Sequence, residues 1–282
     1  MKCGLVSIIG APNAGKSTLL NQIIGQKLSI VTPKAQTTRA ALRAIYTKDQ
    51  CQMIFIDTPG IFSPKAKMEN VMVRAAWSSI AGADAIILLI DGSKELDDNT
   101  KSILETLKQK KLSPIIVFNK NDKSKKTIDL ANFEPLKMFD ISALTGNKVD
   151  ELLEYLTSIM PLSNFLYNED EITTAPARFF ATEVTREKLF LNLDAELPYN
   201  LAVDTEKWEE KPDGSAKVYQ VIYTSRAAHK KIILGKNGAM IKKIGQEARK
   251  EISEFLDQKI HLFLYIKVKE DWQNDENNYC SY

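Results

Sequence analysis

Histidine is nearly missing from this chain of 282 residues: His229 and His261 are the two it has, each isolated. Cysteine is scarce too, and Cys3, Cys51 and Cys280 are scattered without the spacing of a zinc site or a disulfide framework. These shortages leave no basis for a zinc centre or a cysteine–histidine nucleophile, and they fit a reducing cytosol. No apolar run approaches the ~18 residues that would span a bilayer. The opening run, Leu5–Ile9, is too short for the core of a secretory signal. Charge of one sign is missing as well. With 38 Lys and Arg against 36 Asp and Glu the net is +2, so the chain as a whole is not a polycation. Its length suits two domains.

What is present is concentrated in four short segments that come in one order. The first, Gly10-Ala11-Pro12-Asn13-Ala14-Gly15-Lys16-Ser17, is a G-x-x-x-x-G-K-S loop followed by Thr18. Leu5–Ile9 before it has strand length, and Ser17–Ile24 after it has helical spacing. A strand–loop–helix turn of this kind aims backbone N–H groups at phosphate oxygens, helped by the helix N-terminus. Lys16 is then placed for the β- and γ-phosphates, and the Ser17 hydroxyl for Mg²⁺.

The second segment, Asp57-Thr58-Pro59-Gly60, ends the apolar run Gln52–Ile56. A carboxylate at that strand tip holds Mg²⁺ in P-loop NTPases, and Gly60 lets the chain pass close to a γ-phosphate. Ile61 follows, where many GTPases place the glutamine that positions water; an isoleucine cannot do this, so slow turnover is expected. The third, Asn119-Lys120-Asn121-Asp122, carries the choice of base. Guanine offers two adjacent donors that Asp122 can accept together, and a site of matched hydrogen bonds rejects the wrong partner by roughly 10⁴ to 10⁵. Lys120 packs its stem along the base and Asn119 ties the loop to its neighbours. The fourth, Ser142-Ala143, suits a backbone donor to the guanine O6.

Residues 1–160 alternate strand-like and helix-like stretches, which predicts a doubly wound, mainly parallel α/β sheet with the ligand at the strands' carboxyl ends. Ala40–Lys48 and Gln52–Thr58 are expected to pair across Asp49-Gln50, with Ala85–Ile90 a buried strand. Helices are expected over Leu96–Lys110 and Asn147–Met160. A stretch of prolines and acidic residues then reads as a linker, and a smaller α+β unit follows. In it a helix is expected near Arg178–Leu197 and strands near Asn200–Glu209, Ala216–Ser225 and Ile260–Val268. The long helical stretch Ala227–Leu256 is broken at Gly235-Lys236-Asn237-Gly238. A G-x-x-G turn between helices marks a KH module, which clamps about four nucleotides of single-stranded RNA. Arg226, Lys230, Lys231, Lys236, Lys242, Lys243, Arg249 and Lys250 face Glu247 alone between positions 226 and 250. Ile232, Ile233, Met240, Ile241 and Ile244 are expected to floor a base-binding surface.

Taken together the motifs make the chain similar to the Era family of bacterial GTPases. The resemblance rests on the four segments, on Gln36-Thr37-Thr38-Arg39, on Arg186–Leu189 with Glu196–Tyr199, and on Lys230–Ile232, the G-x-x-G turn and Ile244–Arg249. It implies a GTPase domain over 1–162, a linker over 163–177, a type II KH domain over 178–270 and a tail over 271–282. It also implies Mg²⁺-dependent GTP hydrolysis to GDP, binding near the 3′ end of 16S rRNA, and a part in 30S subunit assembly by a cytoplasmic monomer. The family is further described as peripheral to the inner membrane. Thr38 becomes the candidate switch threonine on Mg²⁺, with Thr37 the runner-up, and catalysis falls to Lys16, Thr38, Gly60 and Asn13. In related families Asn13 helps hold a K⁺, and the need for K⁺ here is open. RNA contact is assigned to Arg226, Lys230, Lys231, Gly235, Lys236, Asn237, Gly238, Lys242 and Lys243. Two alternatives stand beside this reading: a nucleotide-gated RNA-binding module with negligible turnover, and a membrane-surface adaptor using its basic segment.

Overall fold

The computed structural model describes residues 1–34, 37–64, 67–123, 128, 130, 133–270 and 272. Gln36 and all of the tail except residue 272 therefore lie outside the described residues. The chain forms two compact units, one over Met1–Thr174 and one that starts at Ala175.

The first unit is a six-stranded sheet in the order β2-β3-β1-β4-β5-β6. Its strands are β1 (Lys2–Ile9), β2 (Leu42–Lys48), β3 (Cys51–Asp57), β4 (Ala85–Asp91), β5 (Ile115–Asn119) and β6 (Lys137–Asp140). All pairings are parallel except β2 with β3, a hairpin turning at Asp49, whose φ is +51°. Parallel strands buried on both faces need unbroken apolar runs, and Val6, Ile8, Ile9, Ile54, Phe55, Ile87, Leu88 and Ile116 are all buried. The helices are α1 (Lys16–Ile24), α2 (Lys67–Ser78), α3 (Asp98–Gln109) and α4 (Val149–Ile159). α3 starts two residues later than its periodicity predicts, because the Asp97 carboxylate accepts from the Thr100 N–H at 2.9 Å and caps it. α2 occupies a stretch to which sequence patterning assigns no element.

Residues 161–173 run back along the sheet rather than away from it. The Gln52 side chain, buried on β3, accepts from the N–H groups of Leu166 (2.9 Å) and Tyr167 (3.0 Å) and donates to the Tyr167 carbonyl (2.9 Å). Thr173 then bridges to Ala44 on the outer edge of β2, with the Ile45 N–H donating to the Ile172 carbonyl at 2.8 Å. The strap covers an edge that would otherwise be open to pairing.

The second unit has a three-stranded sheet, β7 (Leu201–Glu210), β8 (Ala216–Thr224) and β9 (Ile260–Val268). β7 and β8 are antiparallel, and β8 and β9 are parallel. α5 (Ala177–Asn192), α6 (Ala227–Leu234) and α7 (Ala239–Leu256) complete it. α5 stops five residues before the expected Leu197, since Leu193 is extended (φ −113°, ψ 147°) and Ala195 has φ +52°. That turn lets Leu193 and Leu197 both reach the core beside Leu189 and Ile222. No helix among the described residues is long and apolar enough to cross a membrane.

Candidate functional site

All four sequence segments of the first unit meet at the carboxyl ends of β1, β3, β5 and β6. The first three contribute Pro12, Asn13, Gly15, Lys16, Ser17, Gly60 and Lys120, among others, to the lining of a cleft of about 540 Å³, which Leu144 reaches from just beyond the fourth. Val31, Thr32, Pro33, Thr37, Thr38, Lys123 and Leu144 close its rim, a lining the motifs alone did not reveal apart from the two threonines.

The loop after β1 depends on glycine at two points. Gly15 has φ +101°, and a Cβ there would lie 2.3 Å from Asn119 Nδ2. Gly10 has φ +155°, and its Cβ would lie 2.4 Å from the Leu89 carbonyl oxygen. Inside this loop Lys16 is buried and its ammonium donates to the carbonyls of Gly10 (3.1 Å) and Ala11 (3.0 Å). Burial lowers its pKa to about 8, against the pull of Asp57 in the other direction.

Ser17 Oγ donates to Asp57 Oδ2 at 2.8 Å and shares a hydrogen bond with Thr38 Oγ1 at 2.9 Å. Ser29 Oγ, which no motif indicated, donates to the same Asp57 oxygen at 2.8 Å. Asn21 of α1 holds it there, accepting from the Leu28 and Ser29 N–H groups at 2.9 Å each. Asp57 Oδ1 is buried with no partner of hydrogen-bond geometry. Burial raises the Asp57 pKa, opposed by Lys16 and by the serine hydroxyls. A cluster of hydroxyl and carboxylate oxygens with one carboxylate oxygen left over fits Mg²⁺, a hard cation that takes oxygen ligands. Of the two candidate threonines, Thr38 faces this cluster, whereas Thr37 Oγ1 is bonded to Thr32 Oγ1 (2.7 Å) and the Lys34 carbonyl (2.8 Å).

Beyond Asp57, Thr58 Oγ1 donates to the Ile8 carbonyl at 2.8 Å and ties the segment to β1. With Pro59 between them, Gly60 lies against the loop, and a Cβ there would stand 2.9 Å from the Pro12 side chain. Ile61 is 6% exposed and packs into the core with Ile9, Leu88 and Ile90, while its N–H donates to the Gly10 carbonyl at 3.1 Å. Its side chain points away from solvent, so the physical reason it cannot position water is its burial as well as its chemistry.

At the other end of the cleft Asn119 binds three segments. Its Nδ2 donates to the Ala14 carbonyl, and its Oδ1 accepts from the N–H groups of Lys120 and Ala143, each at 2.8 Å. The Ala143 N–H, expected to face a base, is thus engaged by Asn119 here. Ser142 Oγ donates to Asp122 Oδ1 at 2.5 Å, orienting a carboxylate that is otherwise exposed. The Lys120 ammonium lies over the loop, 2.8 Å from the Asn13 carbonyl and 2.7 Å from Asp91 Oδ2.

In the second unit the G-x-x-G turn joins α6 to α7. Gly235 has φ 69° and ψ 179°, a region essentially reserved for glycine, and its Cβ would meet Met240 Cβ at 2.7 Å. Asn237 (φ +53°) and Gly238 (φ +77°) are left-handed, so Lys236 and Asn237 stand exposed at the tip. Arg226, Lys230, Lys231, Lys242 and Lys243 are exposed around it. Beside the turn lies a second cleft of about 540 Å³, lined by Lys230, Leu234, Ile241, Leu264, Tyr265 and Lys267 among others. The expected apolar floor needs correcting: Ile233 and Ile244 are 0% exposed and belong to the core. Neighbouring helical positions differ by about 100°, so Ile232 faces outward at 55% exposed while Ile233 faces the sheet.

Fold and cleft together define a P-loop GTPase followed along the chain by an RNA-binding type of module. Residues 5–120 match the family described as "50S ribosome-binding GTPase", and residues 196–273 match the KH domain. Similarity to curated proteins covers almost the whole chain. It is 50% identical over 280 residues to GTPase Era of Rickettsia bellii, covering 97% of this chain and 95% of that protein. To GTPase Era of Mesorhizobium japonicum it is 48% identical over 283 residues, covering 98% and 91%. Two solved structures superpose on it with a TM-score of 0.91 at 33% identity, covering 99% of this chain and 97% of theirs. One is an Aquifex aeolicus Era variant bound to GDP·AlF4⁻; the other is Era in complex with MgGDPNP and nucleotides 1506–1542 of 16S ribosomal RNA. The chain belongs to the Era family and is a GTPase.

Proposed function

We propose that this GTPase binds GTP and GDP in the first cleft, binds 16S rRNA near its 3′ end through the KH turn, and assists assembly of the 30S subunit. One observation carries the nucleotide half: Ser17, Thr38 and Asp57 converge within 2.8–2.9 Å from three separate segments, leaving Asp57 Oδ1 without a hydrogen-bond partner. Ser17, Thr38 and Asp57 would hold Mg²⁺, which supplies charge neutralisation at the β- and γ-phosphates. The nucleotide-binding segments are Gly10–Thr18, Asp57–Ile61, Asn119, Lys120, Asp122 and Ser142-Ala143. Lys16, now turned onto the carbonyls of Gly10 and Ala11, is within its own loop of the phosphates and exchanges those partners for them. Burial weakens its hold on a proton, and an anionic phosphate beside it would restore that hold. Gly60 brings its backbone against Pro12, at the side of the cleft where a terminal phosphate distinguishes GTP from GDP. With Ile61 in the core, this position offers no side chain to orient water, which supports slow intrinsic turnover.

The RNA half is supported by the exposed cations of the turn and by the solved relative that contains a 16S rRNA segment. Assembly of the 30S subunit is the use that joins a GTP switch to an rRNA clamp.

The nucleotide assignment is tested at Asp122. Xanthine presents an acceptor where guanine presents its amine, so Asp122→Asn shifts preference from GTP to xanthosine triphosphate by roughly 10⁴, the size of a matched hydrogen-bond set. Competition binding with fluorescent GDP and XDP measures this; unchanged GTP preference removes Asp122 from base recognition.

A further inference from the structure

Lys120 has two anchors, and the nucleotide motifs account for one. Its ammonium reaches the Asn13 carbonyl of the phosphate loop at 2.8 Å, and it also reaches Asp91 Oδ2 at 2.7 Å. Asp91 ends β4 directly beside Asn119 in the sheet register, outside the four segments. Its other oxygen is fixed too: Oδ1 accepts from the Ser93 N–H at 3.1 Å and from Ser93 Oγ at 2.6 Å. The next residue, Gly92, donates its N–H to the Asn119 carbonyl at 2.8 Å. The pair is largely shielded, with side chains 24% and 12% exposed for Lys120 and Asp91. Both Lys120 (φ +70°) and Asn13 (φ +62°) hold left-handed backbones that a non-glycine residue rarely adopts. The ammonium therefore pins two strained residues from two loops, and Asp91 fixes where that ammonium sits.

We propose that Asp91 is a positioning residue for guanine nucleotides: by clamping Lys120 across the Asn13 carbonyl, it sets the Lys120 stem as a wall for the base and holds the phosphate loop in its binding shape. The proposal rests on the reading that Asn119–Asp122 receives the base. Burial opposes ionisation of Asp91, but the bonds from Lys120 and Ser93 win and hold its pKa below the ordinary carboxylate range.

A double-mutant cycle on the full chain tests this, read as the dissociation rate of fluorescent GDP by stopped flow, with thermal melting alongside. Asp91→Asn keeps the shape and loses the charge, and it speeds GDP release about tenfold, the size of one charge-assisted hydrogen bond. Lys120→Met speeds release at least as much. Asp91→Asn added to Lys120→Met changes release less than twofold, because the group it acts through is gone. Ser93→Ala frees the far carboxylate oxygen and gives a smaller acceleration in the same direction, so the test survives if Asp91→Asn folds poorly. Multiplicative effects of Asp91→Asn and Lys120→Met, or release unchanged in both Asp91→Asn and Ser93→Ala, overturn the proposal. Unchanged release in Lys120→Met instead overturns the base-loop reading beneath it.

Discussion

The nucleotide cleft and the G-x-x-G turn hold their working groups in opposite ways. In the cleft, Lys16, Asp57, Asn119 and Ser142 are buried and cross-bonded, Lys16 within its own loop and the other three to partners on other segments. At the turn, Lys236 and Asn237 stand in solvent on a backbone shaped by two glycines, between the helices on either side. The difference suits the ligands proposed for each. Choosing one base over another requires matched, desolvated hydrogen bonds whose loss is costly. Gripping a polyanion requires charge at the surface, where counterions can be released.

Glycine substitutions sharpen that contrast. The largest effect is expected from Gly15→Ala, which combines φ +101° with a Cβ 2.3 Å from the Asn119 amide. Strain of about 1–3 kcal/mol, added to displacement of the side chain that joins three segments, lowers GDP affinity on the order of 100-fold. Titration calorimetry with GDP measures it; a loss under threefold means the loop is not braced by Asn119 as described.

The two glycines of the turn are expected to behave unequally. Gly235→Ala drives a Cβ into Met240, at 2.7 Å from its Cβ and 2.9 Å from its backbone N, so α6 and α7 must part. RNA affinity falls roughly tenfold, from about 1–3 kcal/mol of strain. Gly238→Ala meets nothing within 4 Å and adds only the cost of φ +77°, about 1 kcal/mol. RNA affinity then falls by a few-fold at most. Equal losses at the two positions, measured by fluorescence anisotropy with one RNA, would mean that the clash is not what shapes the turn.

The same contrast explains what was legible in the sequence. Buried parallel strands announce themselves as apolar runs, and phosphate and base chemistry restricts residue types at fixed spacing, so the mainly parallel sheet, its one hairpin and the four segments could be read directly. Ser29 and Asp91 could not, because each acts through a partner far away in sequence: Ser29 on Asp57, Asp91 on Lys120. Gln52 is similar, a polar residue in a strand whose partners, Leu166 and Tyr167, lie more than a hundred positions on. In the second unit the G-x-x-G turn and its cations were legible. Which isoleucine of the pair Ile232-Ile233 enters the core depended on the rotation of α6 against the sheet, and short helices leave that phase undetermined.

The central claim is that RNA is gripped by exposed charge at the turn, separately from the buried nucleotide site. It is tested most directly by RNA affinity at several salt concentrations, for the wild-type protein and for the double variant Lys236→Asp, Asn237→Asp. The RNA is a short single strand matching the small-subunit 3′ end, and GDP affinity is measured on the same samples. The account predicts a wild-type slope of log affinity against log salt near −3, from about −0.7 for each of roughly four phosphate contacts. The double variant should bind RNA much more weakly and with a shallower slope, while its GDP affinity stays within twofold of wild type. Undiminished RNA affinity in a folded double variant, or a parallel loss of GDP affinity, would contradict it.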